Sequence, residues 1–166
     1  MSADDRLGDL SSTERSGTSQ QLVKKYMLLS MATGLVPVPV VDVAALTAIQ
    51  LQLLAKLAKQ YDITFSEQLA TSVLGSLVGA GGSTLATVTS HRLLMRLHPV
   101  GWVVTAVTTA IFAGASTYAV GRVFVQHFDS GGTFLTFDPE KVRDFYAAQL
   151  KEGSAEVARS FAGVKP

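Results

Sequence analysis

Between Gln68 and Ser90, and again between Leu97 and Gly121, the chain carries no Asp, Glu, Lys or Arg; the basic turn HRLLMR separates the two stretches. As helices rising about 1.5 Å per residue, each is long enough to cross a hydrocarbon core of roughly 30 Å. Segments of this kind have two solvents open to them: acyl chains, or the close-packed middle of a helical bundle. The missing charges favour lipid, and the sequence speaks more clearly about where the chain sits than about any reaction.

Composition narrows the field. Hydrophobic residues make up 48% of the 166 and charged residues 16%, the apolar side of ordinary usage for one domain. With 14 basic and 13 acidic residues the formal charge is +1, so no bulk electrostatic case exists for nucleic acid, which needs a clustered basic face. The absence of cysteine excludes disulfides, thiolate metal sites and a cysteine nucleophile. Residues 1–20 are polar and rich in Ser, Thr and Asp, without the basic start and apolar run of a secretory signal, and are expected to form a disordered arm.

From Gln21 the pattern turns helical, with Leu22, Tyr26, Leu29 and Thr33 on one stripe and Gly34 as its end. Pro37 and Pro39 then force an extended elbow. A second helix follows over VVDVAALTAIQLQLLAKLAKQY, with Asp42 near its positive end, Lys56 and Lys59 near its negative end, and a seam of Leu46, Ile49, Leu53 and Leu57. Ser66 is placed to cap the first charge-free stretch. After Gly121 charge returns, Ser130-Gly131-Gly132 signals a turn, and Asp138-Pro139-Glu140 opens an amphipathic closing helix over 138–152. Residues 153–166 read as a flexible tail. The fold class is all-α: one helical domain over 21–152, with 68–121 as a candidate membrane-inserted hairpin.

Small residues recur every fourth position in both charge-free stretches. The first carries Thr71, Gly75, Gly79, Ser83 and Thr87; the second carries Thr105, Thr109, Ala113, Thr117 and Gly121, flanked by Ala106, Ala110 and Gly114. Ridges of this kind let backbones approach closely where hydrocarbon surrounds them, and predict a tight hairpin and self-association into a homo-oligomer. Gly81-Gly82 in the middle of the first stretch marks a kink or re-entrant break.

No reacting constellation accompanies these ridges. A phosphate loop needs Gly-Lys, and no such pair exists; GAGGST at 79–84 has the glycines alone. His91, His98 and His127 lack metal-site spacing, and no G-x-S-x-G elbow is present. Neither a catalytic residue, a cofactor nor a metal is assigned. Asp42 is the one acidic group between Tyr26 and Ala55, a carboxylate that either complements a helix dipole or, at membrane depth, has a function in ion or proton handling. Arg92 and Arg96 are candidates for contact with lipid headgroups.

The segments VPVPVVDVAALTAIQLQLLAKLAKQYDITFSE and AGASTYAVGRVFVQHFDSGGTFLTFDPEKVRDFY resemble the YcjF-type family, domain of unknown function 697, over about Gly34 to Gly153. The most specific part is GRVFVQHFDSGGTFLTFDPEKV. The resemblance implies a bacterial inner-membrane protein, integral or peripheral, with a GTPase as partner; any nucleotide chemistry then falls to another polypeptide. Three readings stay open: a non-catalytic membrane scaffold or anchor contacting lipid, which is preferred; a small transporter or pore component; and a soluble all-α interaction module.

Overall fold

A computed structural model describes the backbone of residues 3–33, 39–80 and 99–163, with side-chain surroundings over 13–33, 44–77 and 106–163. Among the described residues there are five helices and no strand: α1 (Ala3–Thr33), α2 (Pro39–Gln60), α3 (Glu67–Ala80), α4 (Pro99–Asp129) and α5 (Pro139–Ala162). The chain is all-α, as expected.

The bundle is organised round α4, which packs against α1, α2 and α5. Every residue from Ala113 to Gly121 is buried. Surrounded by protein on all sides, that stretch has no face for a charge, so about a third of the second charge-free run is explained by close packing within the chain. No described helix is long and apolar enough to cross a membrane. The hairpin of facing ridges is not what the described residues display: the principal neighbours of α3 are α2 and α5. Residues 81–98, which carry its turn, lie outside the described residues.

Two boundaries differ from the sequence reading. The arm expected to be disordered over 1–20 belongs to α1, which is helical from Ala3. It is held by polar contacts that hydropathy does not register: Ser19 is buried and donates to Tyr61 Oη at 3.2 Å, and Gln60 Nε2 donates to the Arg15 carbonyl at 2.9 Å. The tail expected over 153–166 continues α5 to Ala162, with Gly153 and Val157 buried against α4. The face of α1 is also rotated from the predicted stripe. Val23, Tyr26, Met27, Ser30 and Met31 are buried, while Leu29 is 48% exposed.

Local signals produce the connections. Asp62 at φ 55 closes α2, with Ile63 N–H donating to the Ala58 carbonyl at 2.8 Å, a left-handed cap that satisfies orphan carbonyls. Ser66 Oγ accepts from Leu69 N–H at 3.5 Å ahead of α3. Asp138 Oδ1 accepts from Glu140 N–H at 3.1 Å to start α5. Gly131 turns the chain at φ 78.

Candidate membrane-facing end

Contacts along α4 fix helix directions. Val23 lies at Gly121 and Met31 at Gly114, so α1 runs antiparallel to α4. Gln50 meets Ser116 and Thr117, and Tyr61 meets Asp129, so α2 runs parallel to it. Gly153 lies at Ala115 and Val157 at Gly114, so α5 is antiparallel. After a tight turn α3 packs against α2 and α5. One end of the bundle therefore gathers the C-termini of α1 and α5 and the N-termini of α2 and α4, the two helices that the links 34–38 and 81–98 precede in the chain.

That end is poor in charge. From Tyr26 to Ala55 the chain has only Asp42, and from Gln68 to Gly121 only Arg92 and Arg96. Along α1 the charges stop at Lys24 and Lys25, and the half-exposed Leu28 and Leu29 begin. On α4 burial loosens toward the N-terminus, where Val107 is 42% exposed; on α5, Phe161 is 43% exposed. The boundary is charged: Lys24 Nζ bridges to Glu156 Oε1 at 2.9 Å, and Arg159 also pairs with Glu156. The Lys24 ammonium beside it holds the Glu156 carboxyl below its ordinary value. Apolar side chains beyond a rim of long cations suit an interface, where the cations' stems lie on apolar surface and their heads stay wet.

The opposite end is an aromatic cap. Phe124 stacks on Phe137 at 4.8 Å and lies edge-on to Phe128 at 5.5 Å. His127 packs edge-on against Phe137, its Nε2 2.9 Å from the Thr133 carbonyl. Tyr61 donates to Asp129 Oδ1 at 2.8 Å, and burial, more than its other contacts, raises the phenol's pKa.

The sequence-selected residues are distributed as follows. Ala110, Ala113, Gly114, Thr117 and Gly121 are buried on α4, and Ala106 is half-buried nearer the charge-poor end. A Cβ at Gly114 would come within 2.7 Å of Met31 and Val157, and one at Gly121 within 2.6 Å of Val23. This ridge is filled by α1, α2 and α5 of the same chain. On α3 the ridge faces outward: Thr71 and Gly75 are exposed, and a Cβ at Gly75 would meet nothing within 4 Å. Gly79 lies in the last turn of α3 and Asp42 in the first turn of α2, with side-chain surroundings outside the described residues. Ser83, Thr87, His91, Arg92, Arg96 and His98 also lie outside them.

Sequence reasoning missed a buried polar seam. Gln50, 3% exposed, donates through Nε2 to Ser116 Oγ at 3.2 Å and Thr117 Oγ1 at 3.4 Å, and Ser116 Oγ lies 3.4 Å from Tyr146 Oη. Burial raises the pKa of Tyr146, with the Ser116 hydrogen bond opposing. Ser30 Oγ donates to the Ala113 carbonyl at 3.2 Å. The seam joins α2, α4 and α5 in a fixed register, since a slip would leave buried polar atoms unpaired. Its one sequence signal was Gln50 recurring four residues after Leu46, close to the apolar seam.

Comparison with known proteins adds a relative and a family. The chain is 38% identical over 152 residues, 89% of its length and 76% of the relative's, to magnetosome membrane protein 22 of Magnetospirillum gryphiswaldense. No solved structure matches. A domain of unknown function, DUF697, matches residues 3–154, which takes in α1 from its start and most of the bundle. The resemblance first seen in the VPVPVV and GRVFVQHFD segments thus extends through α1, and the chain belongs to the DUF697 family.

Proposed function

We propose that this protein is a non-catalytic, membrane-associated helical scaffold or anchor whose charge-poor end seats in the bilayer. The observation that carries the reading is the convergence at one end of the C-termini of α1 and α5 and the N-termini of α2 and α4, with Leu28, Leu29, Val107 and Phe161 exposed toward it. Its likeness at 38% identity to a magnetosome membrane protein supports it. Arg92 and Arg96, in the link between α3 and α4, would then lie near anionic headgroups. In this reading the setting is the bacterial inner membrane, and the bundle above it is free to hold a protein partner such as a GTPase.

Self-assembly is part of the proposal, with one change of surface. The α4 ridge is occupied within the chain, so association falls to the outward-facing Thr71 and Gly75 of α3. Gly75→Leu is expected to disperse the oligomer on crosslinking with membrane recovery unchanged; Ala110→Leu acts on the buried core instead.

A second reading, the soluble all-α interaction module, is favoured by the complete burial of Ala113 to Gly121. A pore would need its hydroxyls toward water, whereas those of Ser116 and Thr117 are engaged with Gln50 in a buried seam. Fractionation of the full chain separates the anchor from the soluble module. The anchor is expected in the membrane pellet and released by detergent; recovery in the high-speed supernatant without detergent would leave only the soluble module.

A further inference from the structure

A second surface, independent of the membrane reading, lies at the opposite end of the bundle. Between α1, α4 and α5 runs an open groove of about 380 Å³, at the small end of the range for ligand sites. Its apolar floor is Val125 and Phe145, and its polar walls include Gln20 and Gln126. Arg122 and Asp129 are seven residues apart on α4 and both line it, so their backbone positions are about 10 Å apart along the helix axis.

Arg122 is oriented rather than loose. Its Nε donates at 3.2 Å to Oε1 of Gln149, which is only 7% exposed, so a buried side chain sets the plane of the guanidinium. Among the described residues no carboxylate pairs with Arg122 within 4 Å; the ion pairs there involve Lys24, Lys141 and Arg159. A planar fork with its terminal nitrogens unclaimed by a carboxylate matches the oxygens of a phosphate, which it binds in a bidentate way. At the far end Asp129 is anchored through Oδ1 by Tyr61. A carboxylate repels a second anion, and it accepts hydrogen bonds from hydroxyl groups. The amides of Gln20 and Gln126 donate and accept between the two.

We propose that this groove binds a small phosphate monoester of a polyol, with the phosphate on Arg122, the hydroxylated part on the glutamine amides and Asp129, and the carbon chain over Val125 and Phe145. Gln149 acts as a positioning residue for Arg122. A free ester is favoured over a lipid headgroup because the groove lies at the aromatic-capped end, away from the charge-poor one.

The test is a titration of the isotope-labelled full chain by NMR, in buffer or in zwitterionic micelles, with glycerol 3-phosphate, inorganic phosphate and glycerol. Saturable shifts at Gln20, Gln126 and Asp129 are expected with glycerol 3-phosphate, weaker ones with phosphate and none with glycerol. Arg122→Gln should weaken binding at least tenfold. Gln149→Leu should weaken it severalfold although no charge changes, and Asp129→Ala should abolish the preference for the ester over phosphate. Absence of saturable shifts, shifts centred elsewhere, or full binding by Arg122→Gln would overturn the site. If Arg122→Gln fails to fold, Gln20→Leu and the map of shifts in the unaltered chain decide in the same way. A response only to phosphatidylglycerol vesicles would overturn the assignment to a free ester. Because the probes are soluble, failure here leaves the membrane reading untouched, and failure of membrane pelleting leaves this site untouched.

Discussion

Two glycines illustrate how much a single missing side chain decides. At Gly153 an added Cβ would meet the Ala115 carbonyl at 2.9 Å and its Cα at 3.0 Å, backbone atoms that cannot swing aside. Gly153→Ala is therefore expected to lower stability by about 1–3 kcal/mol through overpacking, less the helix-propensity gain of up to ~1 kcal/mol. Gly75→Ala sits in open space and is expected to gain up to ~1 kcal/mol for the isolated subunit. Paired thermal or urea denaturation of the two variants checks the opposite signs. The four-residue spacing of the α4 ridge was legible because close approach demands small residues. What fills it was not, because the same spacing serves a lipid-embedded partner and the Met31, Val157 and Val23 side chains that occupy it here. Gly153 stood outside any ridge in the sequence, and only the direction of α5 discloses its role.

Among the elements, α2, the start of α5, the cap of α3 and the glycine turn follow from apolar periodicity, Asp138-Pro139 and Ser66. The two misjudged ends share a cause. From Thr13 to Gln20 on α1 and in the last turns of α5 most residues face outward, and the buried ones, Ser19 on one and Val157 on the other, are too sparse to form a periodic signal. Removing residues 154–166 is expected to cost at least about 2 kcal/mol from the lost burial of Val157 alone, seen as a lower unfolding midpoint. The α1–α5 bridge gives a pH signature. Glu156 titrates below its ordinary value of 4.5 because Lys24 binds the charged form. The folded state thus holds its proton less tightly than the unfolded one, and the bridge's contribution is present above that ordinary value and lost as pH falls through the depressed one. Glu156→Gln should be less stable than the parent at pH 7, and the difference should shrink as the solution is acidified below pH 4.5.

For the molecule as a whole, the proposed function divides the charge-free runs between two solvents. The last part of the second, Ala113 to Gly121, is surrounded by protein, while Val107 on α4 is exposed toward the charge-poor end. Hydropathy alone could not make that division, because a helix buried on all sides and a helix in acyl chains have the same composition. The orientation it implies can be measured directly, since the chain has no native cysteine to compete with an introduced label. Val107→Cys on the charge-poor end and Leu135→Cys, 81% exposed on the opposite loop, each carry an environment-sensitive fluorophore. On adding vesicles with anionic lipid, the account predicts a blue shift at position 107, with quenching by lipid-borne quenchers, and no change at 135. A response at 135 alone, or at neither position, would contradict it.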